Sequence, residues 1–336
     1  METMLAARLH IPSRTLSLEQ VPKPAPGLGE VLIKVEAAGV CLSDVHLIDG
    51  GLQPQLLAGD TVTLGHEVAG SIAEVGPEVT GLALGDRVAL QAGELRKGVV
   101  YTRGVDYDGG WAEYALATAE SVISIPDSLP FEQAAIIPDA VSTPWAAITA
   151  TGDVRAAQAV AVWGVGGLGA HAVQLLRIVG AYPIIAVDPN AAARERAVEL
   201  GADLALDSTD PELTKKVRAA TRGVGIDAAF DFAGVPAVRE QAVRVLAHQG
   251  RLVLVGIVNQ PLTIEYSAPF VVSQQQIRGH YGSGPTHVPQ LIRLTAGGRL
   301  DLSRSISGVF PLAEAPAVVD RLVRKEGDPI RLILRP

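Results

Sequence analysis

The stretch "AVAVWGVGGLGAHAVQLLRIVG", residues 159–180, limits the possible folds more than any other segment of this 336-residue chain. An apolar run of strand length leads into a glycine turn, and the turn opens a segment with helical periodicity. Gly164, Gly166 and Gly169 form G-x-G-x-x-G, with Gly167 and Leu168 completing the turn. Gly164 permits the tight turn, Gly166 lets a pyrophosphate approach the backbone, and Gly169 lets helix pack on strand, with the helix N-terminus facing the phosphates. "AYPIIAVDPNAAARERAVELGA" repeats strand then helix, and "IDAAFDFAGVPAVREQAVRVLA" and "GRLVLVGIV" continue the alternation. That pattern predicts an α/β domain with a doubly wound parallel sheet of Rossmann type. Asp188 ends the second strand, where a carboxylate accepts adenosine ribose hydroxyls and repels a 2′-phosphate. The residues after it, "PNAAA", offer no arginine, so NAD is expected over NADP. The alternative is a glycine-rich turn in another α/β fold, with Asp188 as a helix cap.

Residues 1–140 have a different texture. "EVLIKVEAAGV" and "HEVAGSIAEVG" are short Val- and Ile-rich runs, separated by "PAPGLGE" and "GPEVTGLALGD", and read as strands. The tail "RLVRKEGDPIRLILRP" returns to a helix and a strand. The expected organisation is a β-rich domain of residues 1–140 and 282–336, interrupted by a dinucleotide-binding domain of residues 141–281. A net charge of −8 without a compensating basic run argues against a nucleic-acid partner. No stretch approaches the ~18 apolar residues of a membrane span, and the N-terminus lacks a signal-peptide pattern, so a cytoplasmic location is expected.

The single cysteine, Cys41, excludes an internal disulfide. It stands in "GVCLSDVHLIDG" with Ser43, Asp44 and His46 close behind. A second cluster, "LGHEVAG", carries His66 and Glu67. Cysteine and histidine bind zinc well, and a catalytic zinc needs three protein ligands and an open position. The third ligand cannot be another cysteine. Asp139 in "IIPDAVSTP" is the leading candidate, because a carboxylate among apolar residues needs a partner if it is buried. The residues also permit plainer readings: an inert buried thiol at Cys41, a core histidine at His66, surface carboxylates at Asp44 and Glu67, and a helix cap at Asp139. The last follows because "SLPFEQAAIIPDAVSTP" reads as lying between elements. His171, His248 and His287 show no ligand spacing.

With "CLSDVH", the signature "GHEVAGSIAEVGPEV" from Gly65 to Val79, "GDRV" and the glycine turn in this order, the chain resembles the zinc-dependent medium-chain alcohol dehydrogenases over nearly its whole length. The resemblance implies a GroES-like catalytic domain beside the Rossmann domain. It implies Cys41, His66 and Asp139 as ligands of one catalytic zinc. Asp139 stands where many relatives have cysteine, as in the secondary-alcohol dehydrogenases that use Asp. It further implies Ser43 touching substrate oxygen, His46 at the outer end of a proton relay, and Asp44 and Glu67 as carboxylates behind the ligands, with Glu67 an occasional ligand. Thr143 would pack on the nicotinamide and Arg331 would lie near the pyrophosphate. Ile257 and Tyr281 would approach the nicotinamide or substrate pocket. The implied reaction is hydride transfer between an alcohol, first of all a secondary one, and NAD, in a dimer or tetramer.

The chain departs from the commonest pattern in one stretch. Where many relatives hold a structural zinc with four cysteines, "ALQAGELRKGVVYTRGVDYDGG" has none, so packing or salt bridges must hold that lobe unless it is shortened. Two rival functions are a zinc-free quinone or enone reductase of the same fold and a non-catalytic NAD-binding protein. Cys41, His66 and Glu67 argue against the first, and an intact ligand set with Ser43 against the second.

Overall fold

The computed structural model describes residues 2–336. The chain forms two compact units, one of residues 1–142 and 284–336, the other of residues 143–283. The first is β-rich. Its largest sheet has seven strands, with Glu30–Val40 at its centre, flanked by Val68–Val75, Tyr114–Thr118 and Arg331–Arg335. All three pair antiparallel to Glu30–Val40. A smaller sheet pairs Thr3–His10 with Thr15–Pro22 and Thr61–Thr63. Alternating apolar side chains of these strands, including Leu9, Ile33, Val35, Val68 and Leu332, pack round Trp111 in one core.

Two details of this unit position chemistry. Glu30–Val40 ends directly before the helix Leu42–Asp49, so Cys41 occupies the N-cap position. The backbone N–H of Cys41 donates to Asp44 Oδ2 at 2.9 Å, which locks the turn. The segment around Asp139, which reads as lying between elements, is instead helical. Phe131–Ile136 is an α-helix, and Ile137–Val141 continues it as a wider π-helical turn containing Asp139. Pro138 lies within that turn; a proline lacks the N–H that regular helical bonding would use, and wide turns of this kind recur at functional sites.

The second unit has a six-stranded parallel sheet. Its strands run in the order Leu204–Leu206, Ile184–Val187, Val160–Trp163, Ile226–Asp231, Leu246–Leu254, Gln276–Gly279. The order reverses direction at Val160–Trp163. The C-terminal end of that strand is therefore a topological switch point, where open α/β sheets bind ligands. The glycine turn stands there and opens the helix Gly169–Val179. The strands Val160–Trp163, Ile184–Val187 and Ile226–Asp231 are buried along almost their whole length, as near-continuous apolar runs in a parallel sheet should be.

Candidate active site

In the β-rich unit, Cys41, His66 and Asp139 bring one ligand atom each to within 4.8 Å of one another. Asp139 Oδ2 lies 3.5 Å from Cys41 Sγ and 3.3 Å from His66 Nε2. Ligands bound tetrahedrally at about 2.0–2.3 Å stand about 3.3–3.8 Å apart, and the two Asp139 separations match that spacing for a zinc-sized ion. One sulfur, one nitrogen and one oxygen also suit a borderline-soft dication.

The surroundings favour positive charge. Burial alone would hold His66 neutral, but the carboxylate of Asp44, with Asp139 and Cys41, outweighs it and lifts the imidazole pKa well above its ordinary value. In the absence of another cation, the cluster would take up a proton there. Asp44 is 1% exposed and sets its Oδ1 3.4 Å from His66 Nδ1, while its other oxygen holds the Cys41 N–H. One carboxylate thus holds the Cys41 backbone and faces the His66 ring at ion-pair distance, on the side where a carboxylate stands behind a metal-bound histidine.

Glu67 lies behind the cluster with no exposed surface. Its Oε1 accepts from the Ala140 N–H at 2.9 Å and lies 2.9 Å from Arg331 Nη2. Gly39 makes room for it: a Cβ there would sit 1.9 Å from Glu67 Oε2. Burial pushes Glu67 up to about 7, and Asp139 adds to this; Arg331, His66 and the Ala140 N–H pull the other way. Arg331 is 2% exposed and lies 3.7 Å from Asp139 Oδ2. Its neighbours are therefore Glu67 and two members of the cluster, Asp139 and Cys41. Burial of Asp44 and Glu67 removes the surface reading of both.

Ser43 Oγ lies 3.6 Å from Cys41 Sγ. His46, one turn further along the same helix, is partly exposed, with Nδ1 3.8 Å from Asp49. Residues three apart share a helix face.

The lobe without cysteines forms a hairpin, Gly93–Arg96 with Val99–Thr102. Salt bridges hold it: Arg103, fully buried, places Nη2 2.9 Å from Glu94 Oε1, and Arg96 Nη2 lies 2.8 Å from Glu94 Oε2. Ser121 Oγ donates to Glu94 at 3.0 Å, and both guanidinium groups lie over the Tyr107 ring.

In the α/β unit, a Cβ on Gly169 would lie 1.8 Å from the Gly164 carbonyl oxygen, so only glycine closes this turn. Among the described residues, nothing lies within 4 Å of where a Cβ on Gly166 would be, leaving that backbone open to a phosphate. Asp188 Oδ2 accepts from Val165 N–H at 2.8 Å and Oδ1 from Asn190 N–H at 2.9 Å. Each oxygen keeps a lone pair for a ribose hydroxyl. Thr143 is buried, whereas Ile257 and Tyr281 are exposed at 42% and 67%.

Two arginines near this turn escape a reading of the residues directly after Asp188. Arg194 donates to the Asp188 and Pro189 carbonyls, both at 2.8 Å, and lies 3.3 Å from Asp207. Arg196 donates to the Val165 carbonyl at 2.7 Å and so ties the glycine turn. Their signal is "ARER" behind the Asn190 helix cap.

Comparison with known proteins agrees with both halves. Residues 27–127 match the alcohol dehydrogenase GroES-like domain, and residues 167–297 match the zinc-binding dehydrogenase family. The L-threonine 3-dehydrogenase of Pyrococcus horikoshii is 31% identical, over 91% of each chain. The NAD-dependent alcohol dehydrogenase of Sulfurisphaera tokodaii is 32% identical, over 95% of this chain and 96% of that one. The crystal structure of 2R,3R-butanediol dehydrogenase from Bacillus subtilis superimposes with a TM-score of 0.90 at 27% identity, covering 99% of both chains.

Proposed function

Because the chain belongs to the zinc-dependent medium-chain alcohol dehydrogenase family, we propose that it interconverts a secondary alcohol and its ketone, with NAD as the redox partner. The observation that carries this reading is the buried Cys41–His66–Asp139 cluster with Ser43 beside it. Two relatives named for threonine and for butanediol act, by those names, on hydroxyl groups at secondary carbons, which supports the substrate class.

Cys41, His66 and Asp139 would hold the metal. When bound, zinc supplies Lewis acidity towards the alcohol oxygen, and NAD supplies the two-electron acceptor. The chain's own residues do the rest. Thiolate and carboxylate together match the dication's charge, with His66 neutral. Asp44 keeps the His66 ring oriented. Ser43 would take the hydroxyl proton while giving up its own, and His46, at the half-exposed end of the same helix face, would be the group that hands a proton on to water. Glu67, through the Ala140 N–H, fastens the turn that carries Asp139.

On the cofactor side, the glycine turn would take the pyrophosphate and Asp188 the ribose hydroxyls, with Thr143 against the nicotinamide. Ile257 and Tyr281 would border the nicotinamide. Arg194 is engaged by two carbonyls and Asp207, which supports preference for NAD. A lone cysteine that must stay reduced to bind metal suits a cytoplasmic location. Among the described residues, no helix is long and apolar enough to cross a membrane. Tyr266, Val271 and Val272, exposed at 64%, 69% and 78%, offer an apolar surface that a dimer or tetramer would cover.

The test is a panel of secondary and primary alcohols and their ketones, assayed by NAD reduction and NADH oxidation. Turnover of secondary alcohols ahead of primary ones is expected. Turnover confined to quinones or enones, with no bound zinc, would replace this reading by the zinc-free one.

A further inference from the structure

The residue after the last strand of the parallel sheet, His280, bridges both ends of a helical stretch in its own unit. That stretch runs through the α-helix Ser142–Ala146 and the π-helical turn Ala147–Thr151. Thr143 is near its start and Thr151 at its end. His280 Nε2 lies 3.1 Å from the Thr143 carbonyl oxygen, and Nδ1 lies 2.8 Å from Thr151 Oγ1. A carbonyl oxygen can only accept, so Nε2 must carry the proton. In a neutral ring Nδ1 is then the acceptor, and the Thr151 hydroxyl donates to it. The two contacts fix one tautomer and one ring orientation.

The stretch needs such a brace. A π-helical turn is rare, and departs from regular α-helical bonding at the end of the stretch. A side chain spanning from the first turn to the last sets the length of the segment. His280 itself is fastened: its N–H donates to the Leu254 carbonyl at 2.9 Å, and the preceding residues pair with the strand Leu246–Leu254. The ring therefore transmits the position of the sheet to Thr143.

We propose that His280 is a positioning residue for the dinucleotide site: it holds the Thr143 backbone where the side chain meets the nicotinamide. The proposal rests on the reading of Thr143 given above. Gln and Asn separate its two bonds. A Gln amide nitrogen reaches about as far as Nε2 and can donate to the Thr143 carbonyl, whereas Asn reaches only as far as Nδ1.

His280→Ala should raise KM for NAD and the NADH dissociation constant about five- to tenfold, the scale of one lost hydrogen bond. The kcat at saturating NAD and the zinc content should change little. His280→Gln should recover most of the affinity and His280→Asn should not. Thr151→Val should weaken binding less than His280→Ala, and the double variant should be no worse than His280→Ala. Nitrogen NMR of the unmodified protein should show a proton on Nε2. Wild-type affinity in His280→Ala, or equal behaviour of the Gln and Asn variants, would overturn the proposal; the Gln–Asn pair and Thr151→Val carry the test if His280→Ala does not fold. Hydrogen exchange of residues 143–151 without cofactor separates the brace from the site: faster exchange in His280→Ala supports the brace even if the unmodified protein binds no NADH, which would sink the reading of the dinucleotide site alone. Unchanged exchange refutes the brace.

Discussion

Glu67 and Glu94 lie in the same unit, both are buried, and each has an oxygen 2.9 Å from an arginine, Arg331 for Glu67 and Arg103 for Glu94. Yet burial carries Glu67 up to about 7, while Glu94 is held below the ordinary glutamate value. Burial raises both. At Glu94 it is outweighed by Arg103, Arg96 and the Ser121 hydroxyl, three donors aimed at one carboxylate. At Glu67 the one guanidinium is shared with Asp139, and Cys41 also draws on its charge. The lobe brings its own cations. The Cys41 region holds more anionic groups than it has cations for, and the deficit is centred on three ligand atoms at zinc-binding separations. One region is finished by folding; the other is finished by binding.

The comparison can be broken most severely at the lobe. Glu94→Ala leaves Arg103 buried without its carboxylate, and removing one member of a buried pair costs about 3–5 kcal/mol. A large fall in melting temperature is expected with bound zinc retained in whatever folds. A shift near zero would mean that packing, and not charge, holds the hairpin. At the other region, Asp44→Asn keeps shape but loses the charge that orients His66. Zinc affinity in a chelator competition should fall about 10–100-fold, the usual effect behind a metal-bound histidine. Unchanged affinity would reduce Asp44 to a helix-capping role.

The α/β unit gives a smaller effect. Asp188 beside the ribose should favour NAD over NADP by at least about tenfold in kcat/KM, or ~1.4 kcal/mol. Equal use of NADP would mean that Arg194 lets go of Asp207 to meet the 2′-phosphate.

The pH dependence should differ in sign between the two glutamates. Glu94 has a lowered pKa in the folded state, so its contribution is complete above the ordinary value of 4.5 and is lost as pH falls through the lowered one. Glu94→Gln should flatten that acid limb of a stability curve. Glu67 is raised, so in metal-free protein the folded state keeps a proton that the unfolded state gives up, and stability declines as pH rises from 4.5 to about 7. Glu67→Gln, measured without metal, should remove that decline; the same slope in both proteins would contradict the shift.

Much of this arrangement is legible from sequence because it is local. The glycine turn needs only strand, turn and helix in order, and "CLSDVH" and "GHE" place their residues on single turns. The bridge from Glu67 to Arg331 is not legible, since it joins a strand start to the last strand of the chain through sheet pairing that no local pattern encodes. The helical state of Asp139 is hidden by Pro138, which reads as a breaker but is tolerated in a wide turn. The place of Asp188 beside the glycine turn is legible; that of Arg194 is not, because helical geometry folds it back over residues that lie outside the adjacent run.

The central claim is that a single metal ion completes the Cys41 region and that none is needed in the lobe. Zinc per chain, measured by elemental analysis on the unmodified protein and on Asp139→Ala, tests it directly, with NADH binding followed by fluorescence to show that the α/β unit is intact. The account predicts one zinc in the unmodified protein, and loss of most of it from Asp139→Ala with NADH still bound. Two zinc ions per chain, or one tightly held zinc in Asp139→Ala with near-normal turnover, would contradict it.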